Sequence, residues 1–351
     1  MVWLLVAGAA SGTCTSATAA CTEWVRPPGH ASRVLVHRSH PLDVHDDRVR
    51  RALVFVHGIK RDAEDHFRTA LAAAFLVDAL EDTIIVAPRF ASSAGGPGNE
   101  SGDCHDALAP DEANWICDAR RPDTWRSGGV AAGPDRLGAF EVIDDIVRRL
   151  ARKETFPNLK NIVIAGHSAG GQFVIRYEMT NAVHETPGVA ISYIVSNPSS
   201  YAYVDALRPI AGTLPPMGTP VAPTASSTWA PAFATYAEGR SCPGFDVWPY
   251  GLRNRPEALA RIAPDEVVSR LVSRPVTYLL GEADVLPLGV FDTSCPALAQ
   301  GTSRLGRGLA FHAYVNQKLH GHHALVIVPF CSHSARCIFT SEQALPSMFP
   351  R

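Results

Sequence analysis

The chain has 351 residues, with 32 basic and 34 acidic side chains and a net charge of −2. Hydrophobic residues make up 46%, ample apolar material for one large α/β domain or two small ones. A charge balance this close to neutral argues against nucleic acid as a main partner, and no uninterrupted apolar run reaches the ~18 residues of a membrane span.

Val2–Ala10 is a short apolar run, and Ala17-Thr18-Ala19 behind it fits the small-residue cleavage pattern of an export leader, though no Lys or Arg precedes the run. Residues 1–20 read as a signal peptide and 21–351 as a single soluble domain, secreted or periplasmic. Strands are expected at Val34–Val36, Leu53–Val56, Thr83–Ala87, Asn161–Ala165, Ile191–Val195, Val276–Leu280 and Ala324–Val328. These runs are continuously apolar, as in strands buried on both faces. Helical spacing covers Gly138–Glu154, where Phe140, Ile143, Ile146, Val147 and Leu150 share a face, and also Gly171–Thr180 and Arg304–Leu319. The alternation predicts an α/β fold with a mostly parallel central sheet flanked by helices. Two long stretches interrupt it. Ala91–Gly133 is rich in Gly, Pro and Asp and contains the sequon Asn99-Glu100-Ser101; Ser199–Pro264 includes the Pro/Thr/Ser/Ala-rich segment Ala211–Pro231. Both read as excursions above the sheet, with 199–264 as a lid-like insertion after the sixth strand. Their aromatic residues Trp115, Trp125, Tyr201, Tyr203, Trp229 and Trp248 either line a pocket or pack their own loops.

The eight cysteines show neither a CxxC pair nor zinc-site spacing, which points to disulfides and an oxidising compartment. Cys104–Cys117, Cys242–Cys295 and Cys331–Cys337 are the expected pairs, the last bracketing His333. Cys14 and Cys21 are expected to leave with the leader or to border it. His320, His322 and His323 precede the last strand and lack a third-ligand pattern, so no metal is expected.

The most informative segment is Asn161-Ile-Val-Ile-Ala-Gly166-His167-Ser168-Ala169-Gly170-Gly171, a strand, a G-x-S-x-G turn and a helix start. A serine on such a turn stands clear of the sheet, and glycines on either side leave room for the tight approach. The helix amino terminus faces the site, so the Ala169 N–H is a candidate donor to a developing oxyanion. A serine needs a base, and the base needs an orienting acid. Upstream, Leu53–Val56 runs into His57-Gly58-Ile59-Lys60.

These pieces resemble the α/β-hydrolase superfamily, and within it a largely uncharacterised group of bacterial and fungal serine hydrolases. The resemblance spans Val34 to Phe349. It rests on G-H-S-A-G-G-Q-F with Arg176-Tyr177, on Ser196-Asn197-Pro198-Ser199-Ser200-Tyr201, on Cys242-Pro-Gly-Phe with Trp248-Pro-Tyr-Gly-Leu252, on Gln300-Gly301 with Arg304, and on the closing V-P-x-x-x-H-S-A-R. Cys331 and Ser332 stand where the group usually has a glycine before its final histidine. The resemblance implies Ile59 as second oxyanion donor, with Lys60 as fallback; His57 reads as a structural histidine that bonds backbone beneath the loop. It implies an acid beyond Val276–Leu280, namely Asp284, with Asp292 and then Glu282 as alternatives. It implies His333 as base. The expected activity is cleavage of carboxylic esters through an acyl-enzyme, with no cofactor, on a small-molecule or lipid-like ester. Amide or peptide cleavage and acyl transfer would use the same residues; a non-catalytic binding protein on this scaffold is a third possibility. Oligomeric state is left open.

Overall fold

A computed structural model describes residues 13–94, 104–118, 121–185, 188–222, 230–238 and 240–351. Val2–Ala10, the Asn99–Ser101 sequon and Trp229 lie outside the described residues.

The core is an eight-stranded sheet. Its strands are β1 (Thr22–Val25), β2 (Val34–Arg38), β3 (Arg51–Val56), β4 (Thr83–Pro88), β5 (Asn161–His167), β6 (Ala190–Ser196), β9 (Val276–Gly281) and β10 (Ala324–Val328). They lie in the order β1-β2-β4-β3-β5-β6-β9-β10. The first two pairings, β1 with β2 and β2 with β4, are antiparallel; all others are parallel. All seven expected strands are present. β1 was not anticipated, because it lies directly behind the presumed leader. The short strands β7 (Leu207–Pro209) and β8 (Phe233–Thr235) pair with each other inside the 199–264 insertion.

Helices cover both faces of the sheet. α2 (Ala139–Leu150) presents the expected apolar face, with Phe140, Ile143, Ile146, Val147 and Leu150 buried in the larger core. α1 (Ala63–Leu76) escapes the sequence pattern because alanines carry much of its buried face: Ala70, Ala73 and Ala74 pack beside Phe67. α3 (Ala169–Glu178) follows β5 without a linker. α4 (Glu257–Ala260), α5 (Pro264–Ser273) and α6 (Cys295–Leu298) precede α7 (Arg304–Ala313), which continues as a π-helical turn, Tyr314–Lys318. α8 (Ala335–Phe339) and α9 (Leu345–Met348) close the chain.

The three expected disulfides form, and a fourth joins Cys14 to Cys21. This last pair was not among the expected ones. The Cys14 N–H also donates to Ser39 O at 2.8 Å, so the segment is tied to β2's neighbourhood.

One buried charge stands out on α3. Glu178 is fully buried, and neither carboxyl oxygen has a hydrogen-bond partner among the described residues. Burial pushes its carboxyl well above the ordinary carboxylate range, against a weaker pull from Arg274 and Arg270. The folded state thus holds the proton that the unfolded chain releases near pH 4.5. Its stability contribution is complete below that pH and is lost as pH rises toward the folded value. Glu178→Gln removes the ionisation. We expect it to raise the thermal midpoint at pH 8, by about 1–3 kcal/mol of stability, and to change little at pH 4. Melts of both proteins at the two pH values check this; equal shifts at both would tie the effect to packing instead.

Candidate active site

The parallel strands β3, β5, β6, β9 and β10 end on one edge of the sheet, and each delivers a residue there. Ser168 follows β5 at φ 57°, ψ −117°, outside the regions L residues prefer. The turn closes because its flanks are glycine. A Cβ at Gly166 would overlap the Gly170 carbonyl, and one at Gly170 would overlap the Val56 carbonyl on β3. Backbone bonds pin the elbow: Ser168 N–H donates to Ser196 O at 2.8 Å, and Gln172 N–H donates to Ser168 O at 3.0 Å.

His333, beyond β10, sits 2.9 Å by Nε2 from Ser168 Oγ and 2.7 Å by Nδ1 from Asp284 Oδ2. Asp284, beyond β9, is buried and has two further partners. Asn197 Nδ2 donates to its Oδ2, and Arg304 Nη1 lies 3.5 Å from its Oδ1. A carboxylate only accepts, so the Nδ1 proton of His333 points at Asp284 and Nε2 offers its lone pair to the serine. The other two acids are used elsewhere. Asp292 accepts from Tyr250 OH at 2.7 Å and Ser294 N–H at 3.0 Å; Glu282 accepts from Phe330 N–H at 2.9 Å.

The Cys331–Cys337 disulfide brackets His333 as expected, and Cys331 O accepts the Ala283 N–H at 2.9 Å, joining the base loop to the acid loop. His57 is structural: its Nε2 accepts from Phe90 N–H at 2.9 Å, and Nδ1 donates to Gly58 O at 2.8 Å. Burial lowers its pKa to about 4, so the ring is neutral. His167 packs its ring 4.6 Å from that of His333 and is held neutral by burial. His323 lies at the start of β10, bonded to Tyr278 OH at 3.0 Å and Leu271 O at 2.7 Å. Among the described residues no His/Cys/Asp/Glu group could hold a metal ion.

A cavity of about 390 Å³ opens beside Ser168, with Ile59 and Ala169 on its lining. Neither the Ile59 nor the Ala169 N–H has an acceptor among the described residues. Of the two readings open for the aromatic residues of the excursions, packing holds for those described. Trp115, Trp125, Tyr201, Tyr203 and Trp248 are buried in the core, whereas Tyr250 and Phe291 line the cavity. The Trp residues are consumed by packing: Trp125 lies 4.7 Å from His57 and stacks on Phe90 at 5.3 Å. Of the 199–264 insertion, Ser199 and Tyr250 reach the cavity.

Sequence reasoning assigned no role to Asn197, Arg304 or Arg126. Asn197 stands at φ 45°, a left-handed position that Asn tolerates, directly after a strand and before a proline. That signal was present. Arg304 opens a helix far from the motif; it entered the resemblance with Gln300-Gly301, but nothing local gave its role.

The chain belongs to the α/β-hydrolase family, which it matches over residues 53–345. Poly(aspartic acid) hydrolase-1 from Sphingomonas sp. KT-1 is similar in structure, with a TM-score of 0.55 and 19% identity over 90% of this chain and 94% of that one. LpqC, a poly(3-hydroxybutyrate) depolymerase from Bordetella parapertussis, gives a TM-score of 0.54 and 18% identity over 91% and 89%. At these identities the likeness is one of fold. No curated protein matches the chain in sequence.

Proposed function

We propose that this protein is a serine hydrolase that cleaves carboxylic esters through an acyl-enzyme. The observation that carries the reading is the hydrogen-bonded line from Ser168 through His333 to Asp284, ending beside a cavity edged by two N–H groups that have no acceptor among the described residues. In the first step Ser168 Oγ attacks the ester carbonyl while His333 Nε2 takes its proton. The N–H groups of Ile59 and Ala169 receive the oxyanion. His333 then protonates the departing alcohol, and Asp284 stabilises the imidazolium between the two transfers. Water attacks the acyl-enzyme with His333 again as base, which returns the serine and releases the acid. Each oxyanion donor is expected to contribute roughly 10²–10³ in turnover.

A fluorophosphonate probe should label the native protein, and peptide mass spectrometry should place the adduct on Ser168. His333→Ala should abolish labelling. Failure of the folded, oxidised protein to label would remove the reading.

Four disulfides and the leader-like amino terminus support export to the periplasm or medium. The 199–264 segment acts as a cap through Ser199 and Tyr250.

A further inference from the structure

We propose that Arg304 is a positioning residue for ester cleavage: one guanidinium that fixes the triad acid and the outer wall of the cavity together, so that a shift of the wall is felt at the base. The inference rests on the serine-hydrolase reading and goes beyond it to a residue outside the triad.

Residues 290–294 line the cavity beside Ser168, next to Arg126 and Tyr250 from other segments. They belong to a strap that runs from Asp284 to α6. Its own backbone holds it weakly. Val285 O accepts from Gly218 N–H at 3.1 Å, but among the described residues no backbone–backbone hydrogen bond is made by residues 286–293. Leu286, Leu288 and Val290 are exposed, so packing does little more. The far end is tied to the 199–264 insertion, by Tyr250 OH on Asp292 at 2.7 Å and by the Cys242–Cys295 disulfide.

The near end is held by α7. Arg304 opens that helix fully buried. Its Nη2 donates to Leu288 O at 3.1 Å and to Val290 O at 2.8 Å, while its Nη1 lies 3.5 Å from Asp284 Oδ1. The ring of Phe291, on the cavity wall, packs 5.0 Å from the same guanidinium. Arg307, one turn along, packs 4.2 Å from that ring and donates to the carbonyl of Ser199, another lining residue. The Leu305 N–H donates to Asp284 O at 3.1 Å, which ties the helix start to the main chain of the acid as well.

This geometry asks for arginine. Its terminal nitrogens are fixed in one plane, so it serves a carboxylate with one and two carbonyls with the other. A lysine ammonium supplies the charge from a single atom and cannot hold both sides. A buried carboxylate stripped of its cation is costly and escapes the cost by taking up a proton. Asp284 in that state no longer orients His333.

The two contacts can be cut separately. Arg304→Lys keeps a cation near Asp284 and frees the strap. Two series of esters read the wall: 4-nitrophenyl acetate against 4-nitrophenyl butyrate for the acyl side, and ethyl butyrate against benzyl butyrate for the alcohol side. In at least one series the ratio of kcat/KM values should shift by about fivefold or more through KM, with kcat on 4-nitrophenyl acetate and the rate of fluorophosphonate labelling kept within about threefold. Arg304→Gln removes the cation, and kcat on every ester should fall by about tenfold or more, together with the labelling rate. Gly289→Val reaches the link from the strap side, and it serves if a buried Arg304 variant does not fold. Gly289 stands at φ 66° between the two bonded carbonyls, exposed and off the cavity lining, with nothing within 4 Å of an added Cβ. A β-branched residue resists that φ, so the strap shifts and draws the guanidinium from Asp284. Labelling should slow by about fivefold or more, and adding Gly289→Val to Arg304→Lys should change it little. One common rate factor on all esters in both Arg304 variants, or labelling of Gly289→Val at the parent rate, would overturn the inference and leave the hydrolase reading standing. No turnover of any ester by the parent, together with no fluorophosphonate on Ser168, would mean that the hydrolase reading had failed and the inference with it.

Discussion

Ser168→Ala is expected to lower turnover of a cleaved ester by roughly 10⁴–10⁶ while leaving the fold intact. The substitution removes Oγ and nothing that the elbow depends on. The backbone bonds to Ser196 O and from Gln172 N–H persist, and alanine meets the φ of 57° with the same Cβ that serine carries. The thermal midpoint should therefore not fall. His333→Ala should cost a comparable factor, and the double variant should be little worse than either alone. The two residues act as one device, so their losses do not add. Initial rates of the three variants, read beside their melting curves, check this. More than 1% of the rate surviving in Ser168→Ala would place the nucleophile elsewhere, and a double variant far slower than both singles would mean that the residues work independently.

Much of this arrangement was legible because it is local. The strand runs are continuous apolar segments, and the nucleophile turn lies within one short segment whose glycines have a steric reason to be there. His333 and Asp284 came from the resemblance, and the parallel strands, which end on one edge, bring the residues beyond β9 and β10 together there. What stayed hidden is contact between distant parts of the chain. Arg304 is 20 positions from Asp284, and its role shows only once α7 folds back against the acid loop. Arg126 lies in a Gly- and Pro-rich excursion whose periodicity says nothing of direction. The aromatic residues stayed ambiguous for the same reason: composition shows that a tryptophan is present, whereas packing decides whether it faces a ligand or the core. β1 was masked by the reading of the amino terminus as a leader.

Asp284→Asn is the second large effect, and it follows from which atoms can donate. Arg304 only donates, and it faces Oδ1. An asparagine amide must therefore turn its oxygen toward Arg304 and its NH₂ toward the place of Oδ2. There it meets two donors, His333 Nδ1–H and Asn197 Nδ2–H. Asn197 cannot turn away without cost, because its Oδ1 holds the Gly281 N–H at 3.0 Å. His333 can relieve its clash only by moving its proton to Nε2, the atom that should take the serine proton. The opposite amide orientation leaves Arg304 buried against a donor. In the first orientation, which keeps the buried Arg304 on an acceptor, the base is lost, and kcat should fall by roughly 10³–10⁴, the scale of the equivalent change of tautomer in serine proteases. KM should move far less, since Asp284 is not part of the cavity lining. Steady-state kinetics of Asp284→Asn and Asp292→Asn on one ester separate the two acids. A kcat collapse in Asp292→Asn with Asp284→Asn near the parent would reverse their roles, because the cavity carboxylate would then be the one that orients the base.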